Sequence, residues 1–443
     1  MKQLLTILAF ACLLSASDQI PAAPQSNPIL IKHGILHTVS QGVLENTDLL
    51  FEKGSITRIE KDIKETADMT VIDARGKHVY PGLIAAVSAL GLVEINAVRA
   101  TVDYDEVGDF TPEVRANVSY NPGSEAIPVT RSNGVLFANV TPLGGRIPGQ
   151  SSLMALDGWT WEEATVQHPT ALHVNWPSLH INLSQGVKVS VKEQEEQQRQ
   201  ILRDLDELLN KARQYQTLQA GKDDKLGMDI GHDLRLEALI PYVNGEKPFF
   251  IHARDVRQIE AAVAWSEKQG LKMVLVGGDD AWMVTDLLKA HDISVIVEGT
   301  LRLPARRYSN YSDAYALPAK LQADQVRFCI STTGGGFAAS AVRDLPNHAA
   351  MAAAFGLTLE EALRSITLSA AEILGVENRL GSLEEGKDAS LFIATGDILE
   401  ITTLVEQTFI RGTTTDMSDK HKQLYQKYQE KYRLPLIIIA IIN

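Results

Sequence analysis

YPGLIAAVSALGLVEI, residues 80–95, climbs out of one β-strand, turns at Pro81 and Gly82, and enters a second apolar strand. The side chains of 83–87 and of Ala89 carry nothing that ligates a metal or moves a proton. Before this stretch, residues 29–80 alternate apolar and polar side chains between turns, as in ILIKHGILHTV and TVIDARGKHVYPG, which predicts a run of short antiparallel strands. The pattern returns near the end in GSLEEGKDASLFIATGD and LVEQTFIRGTTT. Further β-rich runs lie between the flanks: VLFANVTP (135–142), SSLMALDG (151–158), ALHVNW (171–176), PFFIHA (248–253), KMVLVGG (272–278), ISVIVEG (293–299) and VRFCIST (326–332). Helical stretches are interposed at 190–218, 255–269, 281–291 and 340–354. With LIAAVSALGLVEI these make eight runs, which predict an α/β chain folded as a (β/α)8 TIM barrel over 83–382. The flanks, 27–82 and 383–414, then pair into one small β-sandwich, and 415–443 form a C-terminal helical tail.

The chain has 443 residues, long enough for a barrel and a smaller partner domain. Its net charge of −13 argues against nucleic acid as a partner, which needs a basic face. Lys2 followed by LLTILAFACLLSA reads as a signal peptide within 1–23, too short to span a bilayer. Cys12 has a lipoprotein reading, but Phe10 is a poor neighbour for it. Removing the leader leaves Cys329 alone, so the exported chain has no internal disulfide. Export without disulfides suggests a periplasmic or secreted protein. LPLIIIAII at 434–442 is also too short to cross a membrane, so no membrane partner is expected.

Four features resemble the amidohydrolase superfamily, in its imidazolonepropionase-like branch. They are VIDARGKHVYPGLI (71–84), IHARDVRQIEAAVAWSEKQGLKMVLVGG (251–278), LTLEEALRSITLSAAEILGVENRLGSLEEGKDASLFI (357–393), and the order of flanking strands around a barrel. The resemblance implies zinc-assisted hydrolysis of C–N bonds, with ligands at the strand ends. Carried over residue by residue, the strand-1 histidine pair falls on Val87 and Ala89. The strand-5 histidine falls on His252, the strand-6 histidine on Gly277, and the strand-8 aspartate near Thr333. The strand-4 bridging position falls near His173 or Asn175. A catalytic zinc needs three protein ligands and an open position. The motifs are therefore degenerate, and no metal or other cofactor is expected.

Polar residues remain at the expected barrel mouth. Glu94 and Arg99 follow the first run, Arg131 precedes the second, and GGRIPGQ (144–150) follows it. Asp157, Trp159 and Trp161 follow the third run, and Arg254 and Asp255 follow His252. Asp279 and Asp280 follow the sixth, Glu298 ends the seventh, and RLPARRY (302–308) comes next. Thr332, Thr333 and glycines 334–336 follow the eighth. His252, Glu94 and Glu298 are the candidate acid–base groups. Arg131, His173, Arg254, Arg306, Arg307, Thr333 and Gly334 are the candidate ligand-binding residues. Each has a plainer reading: His252 as a hydrogen-bonded histidine, the tryptophans as packing, the glycines as a turn.

Two functions follow. One is a pseudoenzyme that binds a small molecule in the barrel mouth or regulates a catalytic amidohydrolase relative, as a homo- or hetero-oligomer. The other is a metal-independent or unusually ligated hydrolase of small amide or peptide-like substrates.

Overall fold

The computed structural model describes residues 20–184, 188–220 and 231–432. Most of the expected leader and the last part of the expected tail lie outside the described residues. Strands from both flanks join in one eight-stranded sheet. Its order is Thr413–Thr414, Val405–Ile410, Leu391–Ala394, His78–Pro81, Ile29–His37, Val43–Glu52 and Ser55–Glu60, with Thr70–Asp73 also pairing Ile29–His37. Sequence alternation suggested antiparallel pairing throughout. Ile29–His37 instead runs parallel to both Thr70–Asp73 and His78–Pro81. The ends of the chain meet where Phe392 pairs with Tyr80, whose rings stack 5.3 Å apart. Ile31, Leu36, Leu49, Phe51, Val79, Leu391 and Phe409 fill the core of this sheet.

All eight expected barrel runs are strands, divided between two sheets. Leu83–Ser88 pairs parallel to Val135–Val140. Leu172–Asn175, Phe249–Ala253, Met273–Gly277, Ser294–Glu298 and Phe328–Ser331 pair parallel in succession. Their residues are apolar almost without interruption and buried on both faces, as a sheet covered on both sides requires. The run 149–155 hands over between the sheets: Gly149–Gln150 pairs with Leu172–Asn175, and Ser152–Ala155 pairs with Val135–Val140. At the opposite edges Ser331 stands in for a ladder. Its hydroxyl accepts from Val87 N–H and donates to Val87 C=O, each at 3.0 Å.

The run 149–155 is antiparallel to both neighbours. Residues 156–164 therefore lie at the opposite end of the strands from 141–148. That moves Asp157, Trp159 and Trp161 away from the expected mouth. Arg131, before Val135–Val140, lies with them, 3.2 Å from Asp157.

Helix Val256–Gln269 begins at the mouth and shows how local sequence aims the site. Asp255 caps it, accepting from the backbone of Arg257 and Gln258, while the Gln258 side chain reaches back in a capping box. Ile259, Ala262, Val263 and Ser266 recur at helical spacing and are buried. Gly270 ends the helix in the left-handed conformation. Among the described residues no helix is long and apolar enough to cross a membrane.

Candidate functional site

The parallel strand ends open on a cleft of about 310 Å³. Pro142, Leu143, Asn175, Trp176, His252, Arg254, Gln258, Glu298 and glycines 334 and 335 line it. His252 comes from Phe249–Ala253 and Glu298 from Ser294–Glu298. His173 sits two residues below the end of its strand, fully buried beneath the cleft.

The two histidines face each other, His173 Nδ1 lying 2.8 Å from His252 Nε2. One nitrogen donates and the other accepts. Burial pushes the His173 imidazole well below its ordinary range, helped by His252. Burial also lowers His252; Glu298 opposes that shift and Arg254 adds to it. Both rings are thus held neutral at neutral pH. His173 Nε2 is buried without a hydrogen-bond partner.

Glu298 is buried and doubly engaged. Its Oε2 accepts from Arg254 at 2.8 Å, and its Oε1 accepts from Gly334 N–H at 3.1 Å. Gly334 must be small, because a Cβ there would stand 2.7 Å from Val87 Cγ1 and 3.1 Å from Glu298 Oε1. Arg254 also reaches Asp279 at 3.4 Å, and Asp279 is gripped by both terminal nitrogens of Arg302. Asn175 ties the floor to the glycine-rich loop, donating to the carbonyls of Gly144 and Gly145 at 2.9 Å each.

Of the expected site residues, the cleft brings together His252, Arg254, Glu298 and Gly334, with His173 directly below. Glu94 is not among them: it is exposed and accepts from Asn121 at 3.2 Å. Arg131 is not either. It is buried at the other end of the strands, donating to Leu156 C=O at 2.7 Å and to Asp416 C=O at 2.8 Å. It lines a separate cavity of about 230 Å³. Arg306 belongs to a neighbouring cavity and holds Asp280 through both terminal nitrogens, at 2.9 and 2.6 Å. Arg307 is exposed and does not line the cleft. Thr333 is exposed at the rim beside Gly299. Trp176 and Gln258 are cleft residues that the motifs did not single out. The capping pattern DVRQ at 255–258 was the one available signal for Gln258.

The superfamily resemblance implies zinc, and the donor set can be tested against it. Among the described residues no three His, Cys, Asp or Glu side chains converge. His252 Nε2 is turned to His173, and both oxygens of Glu298 are occupied. Gly277, at the expected strand-6 ligand, has φ of +96°, a conformation that favours glycine. These side chains do not fit a catalytic zinc.

A model of the amidohydrolase family matches residues 225–416. The amidohydrolase tasK of Hapsidospora irregularis is 23% identical over 408 residues, a match covering 83% of this chain and 39% of tasK. The chain thus spans about two fifths of the length of that curated relative. Among solved structures, an amidohydrolase from Thermotoga maritima MSB8 superposes with a TM-score of 0.76 at 24% identity, covering 87% of this chain and 99% of its own. A Xaa-Pro dipeptidase with methionine in its active site superposes with a TM-score of 0.54 at 14% identity, covering 88% and 100%. The fold is a mixed α/β fold similar to amidohydrolase structures.

Proposed function

We propose that this chain is an amidohydrolase-fold protein that binds a small ligand in the barrel mouth without the superfamily's metal. It acts as a ligand-binding or partner-regulating pseudoenzyme. In this reading the two inner sheets close as a (β/α)8 barrel over 83–382, with one strand reversed. The flanks 27–82 and 383–414 form its companion domain, and residues 1–23 direct export to the periplasm or beyond. A catalytic amidohydrolase relative is the natural partner, in a homo- or hetero-oligomer.

The observation that supports this reading is the mutual engagement of the groups that could do chemistry. His252 Nε2 is held by His173, and both oxygens of Glu298 are held by Arg254 and Gly334. Neither oxygen of Glu298 is left free for an attacking water, and His252 is engaged through Nε2.

One observation favours the second reading, metal-independent C–N hydrolysis. His252 lines the cleft, and burial keeps its ring neutral, the form from which a general base must start. His173 would hold its orientation.

The deciding experiment incubates the purified protein with zinc, desalts it, and measures retained metal by elemental mass spectrometry. No retained zinc is expected. About one equivalent retained, and lost in His252→Ala, would overturn the metal-free reading. Turnover in an amide and dipeptide screen without metal, abolished by His252→Ala, would establish the second reading instead.

A further inference from the structure

Helix Lys420–Tyr432, KHKQLYQKYQEKY, has no buried residue. Its first turn is fastened to the body of the protein. Asp419 accepts from Lys422 N–H at 3.0 Å and from the Ser132 hydroxyl at 2.9 Å, and His421 meets Arg343 at 3.2 Å. Beyond that turn the helix projects, and its apolar side chains remain uncovered. Leu424 is 41% exposed, Tyr425 56%, Tyr428 49% and Tyr432 61%.

These side chains are arranged, not scattered. At 3.6 residues per turn, Leu424, Tyr425, Tyr428 and Tyr432 fall within an arc of about 100°. Lys420, Lys427 and Lys431 border one side of the arc and Lys422 the other, while Glu430 and Gln426 lie opposite. Tyr428 and Tyr432 stack at 6.2 Å, with the Lys431 ammonium 5.9 and 5.2 Å from their ring centres. Four lysines against one glutamate make this helix basic, in a chain whose net charge is −13.

We propose that this helix docks the protein on an anionic lipid surface. A narrow arc of leucine and tyrosine bordered by lysines suits the headgroup boundary: the rings bury their bodies and keep their hydroxyls wet, while the lysines reach outward to lipid phosphates. The cores of protein–protein interfaces are instead depleted in lysine. The sequence that follows, LPLIIIAII at 434–442, carries no charge. Lying on a surface needs no spanning segment, so the shortness of that run does not count against membrane contact. This goes against the expectation of no membrane partner, which rested on length.

The test is co-sedimentation of the full chain with vesicles of phosphatidylcholine, alone or with added phosphatidylglycerol. The leader is present in every variant, so the differences between variants report on the helix. Binding is expected only to the anionic vesicles and is expected to weaken as salt rises. K427E/K431E should lower the partition coefficient at least about tenfold. Y428S/Y432S should lower it as well. Melting temperatures should not change, because these side chains are exposed. Equal sedimentation of all variants, or none with anionic vesicles, would overturn the proposal. So would a shift of Y428S/Y432S from dimer to monomer without any vesicle effect, which would make a second copy of this chain the occupant. None of these readouts depends on the barrel mouth, so the cleft reading can fail separately.

Discussion

His173 Nδ1 and His252 Nε2 lie 2.8 Å apart, and the N–H of one ring donates to the bare nitrogen of the other. The lower ring is fully buried and has no partner for its other nitrogen. The pair is thus a coupled unit. Each single change to leucine strands a buried nitrogen on the survivor and should cost about 1–3 kcal/mol. The double change strands none. A double-mutant cycle by urea unfolding should show a coupling of about 0.5–3 kcal/mol. Strictly additive costs would mean that the hydrogen bond between the two rings does not couple them.

The two adjacent arginines should separate cleanly. Arg306 grips Asp280, whose side chain is 6% exposed. The arginine is itself partly solvated, so Arg306→Ala should cost about 1–3 kcal/mol, below the value for a fully buried pair. Arg307→Ala should stay within about 0.5 kcal/mol of the parent protein. Thermal melts of the two variants side by side check this.

Gly334 and Val87 occupy complementary space. Gly334→Ala pushes a methyl against Val87 Cγ1 and crowds Glu298, and should cost about 1–3 kcal/mol. Adding Val87→Ala should recover part of that loss. If chemical denaturation finds the double variant worse than the sum of the singles, the clash lies elsewhere.

Stability should fall on mild acidification. His348 Nδ1 accepts from the backbone N–H of Thr300 at 3.0 Å and of Leu301 at 3.2 Å, anchoring the loop that carries Arg302 and Arg306. Burial lowers this histidine from 6.5 to about 4. The unfolded chain takes up the proton near pH 6.5 while the folded chain refuses it until about pH 4. The stability present above pH 6.5 is therefore lost as pH falls through that window, by at most about 3 kcal/mol for this residue. His37 and His168, also lowered to about 4, act in the same direction. His348→Asn keeps an acceptor without the titration and should flatten the slope of unfolding free energy against pH.

The strands were legible because runs such as VLFANV and SVIVE are apolar residue after residue, the mark of a sheet covered on both faces. Their direction was not. An apolar run reads the same both ways, and nothing in SSLMALDG says that it descends between two ascending neighbours. That one reversal explains why Asp157, Trp159 and Trp161 were expected at the mouth. Arg131 was misplaced for a different reason: it precedes its strand instead of following it. His252, Arg254 and Glu298 were legible because strand ends collect at one face. The engagement of Arg306 was less so. Asp279 and Asp280 match Arg302 and Arg306 in charge, but only the loop's path pairs the second with the second. Trp176 was invisible as a cleft residue, since a tryptophan ending a strand more often packs than lines a site.

Gly277 bears on where this chain can go next. Its left-handed backbone lets the Arg254 side chain pass within 3.3 Å of where a Cβ would stand. A histidine at 277 would meet both an unfavourable backbone and an occupied space. Arg254 in turn holds Glu298, so making room would disturb the carboxylate as well. A donor at this position could not be introduced by exchanging one letter: loop, arginine and glutamate would have to change together. Under the metal-free reading proposed above, this arrangement works as a ratchet: selection acting one substitution at a time would find it easier to elaborate the present pocket than to build a metal centre in it.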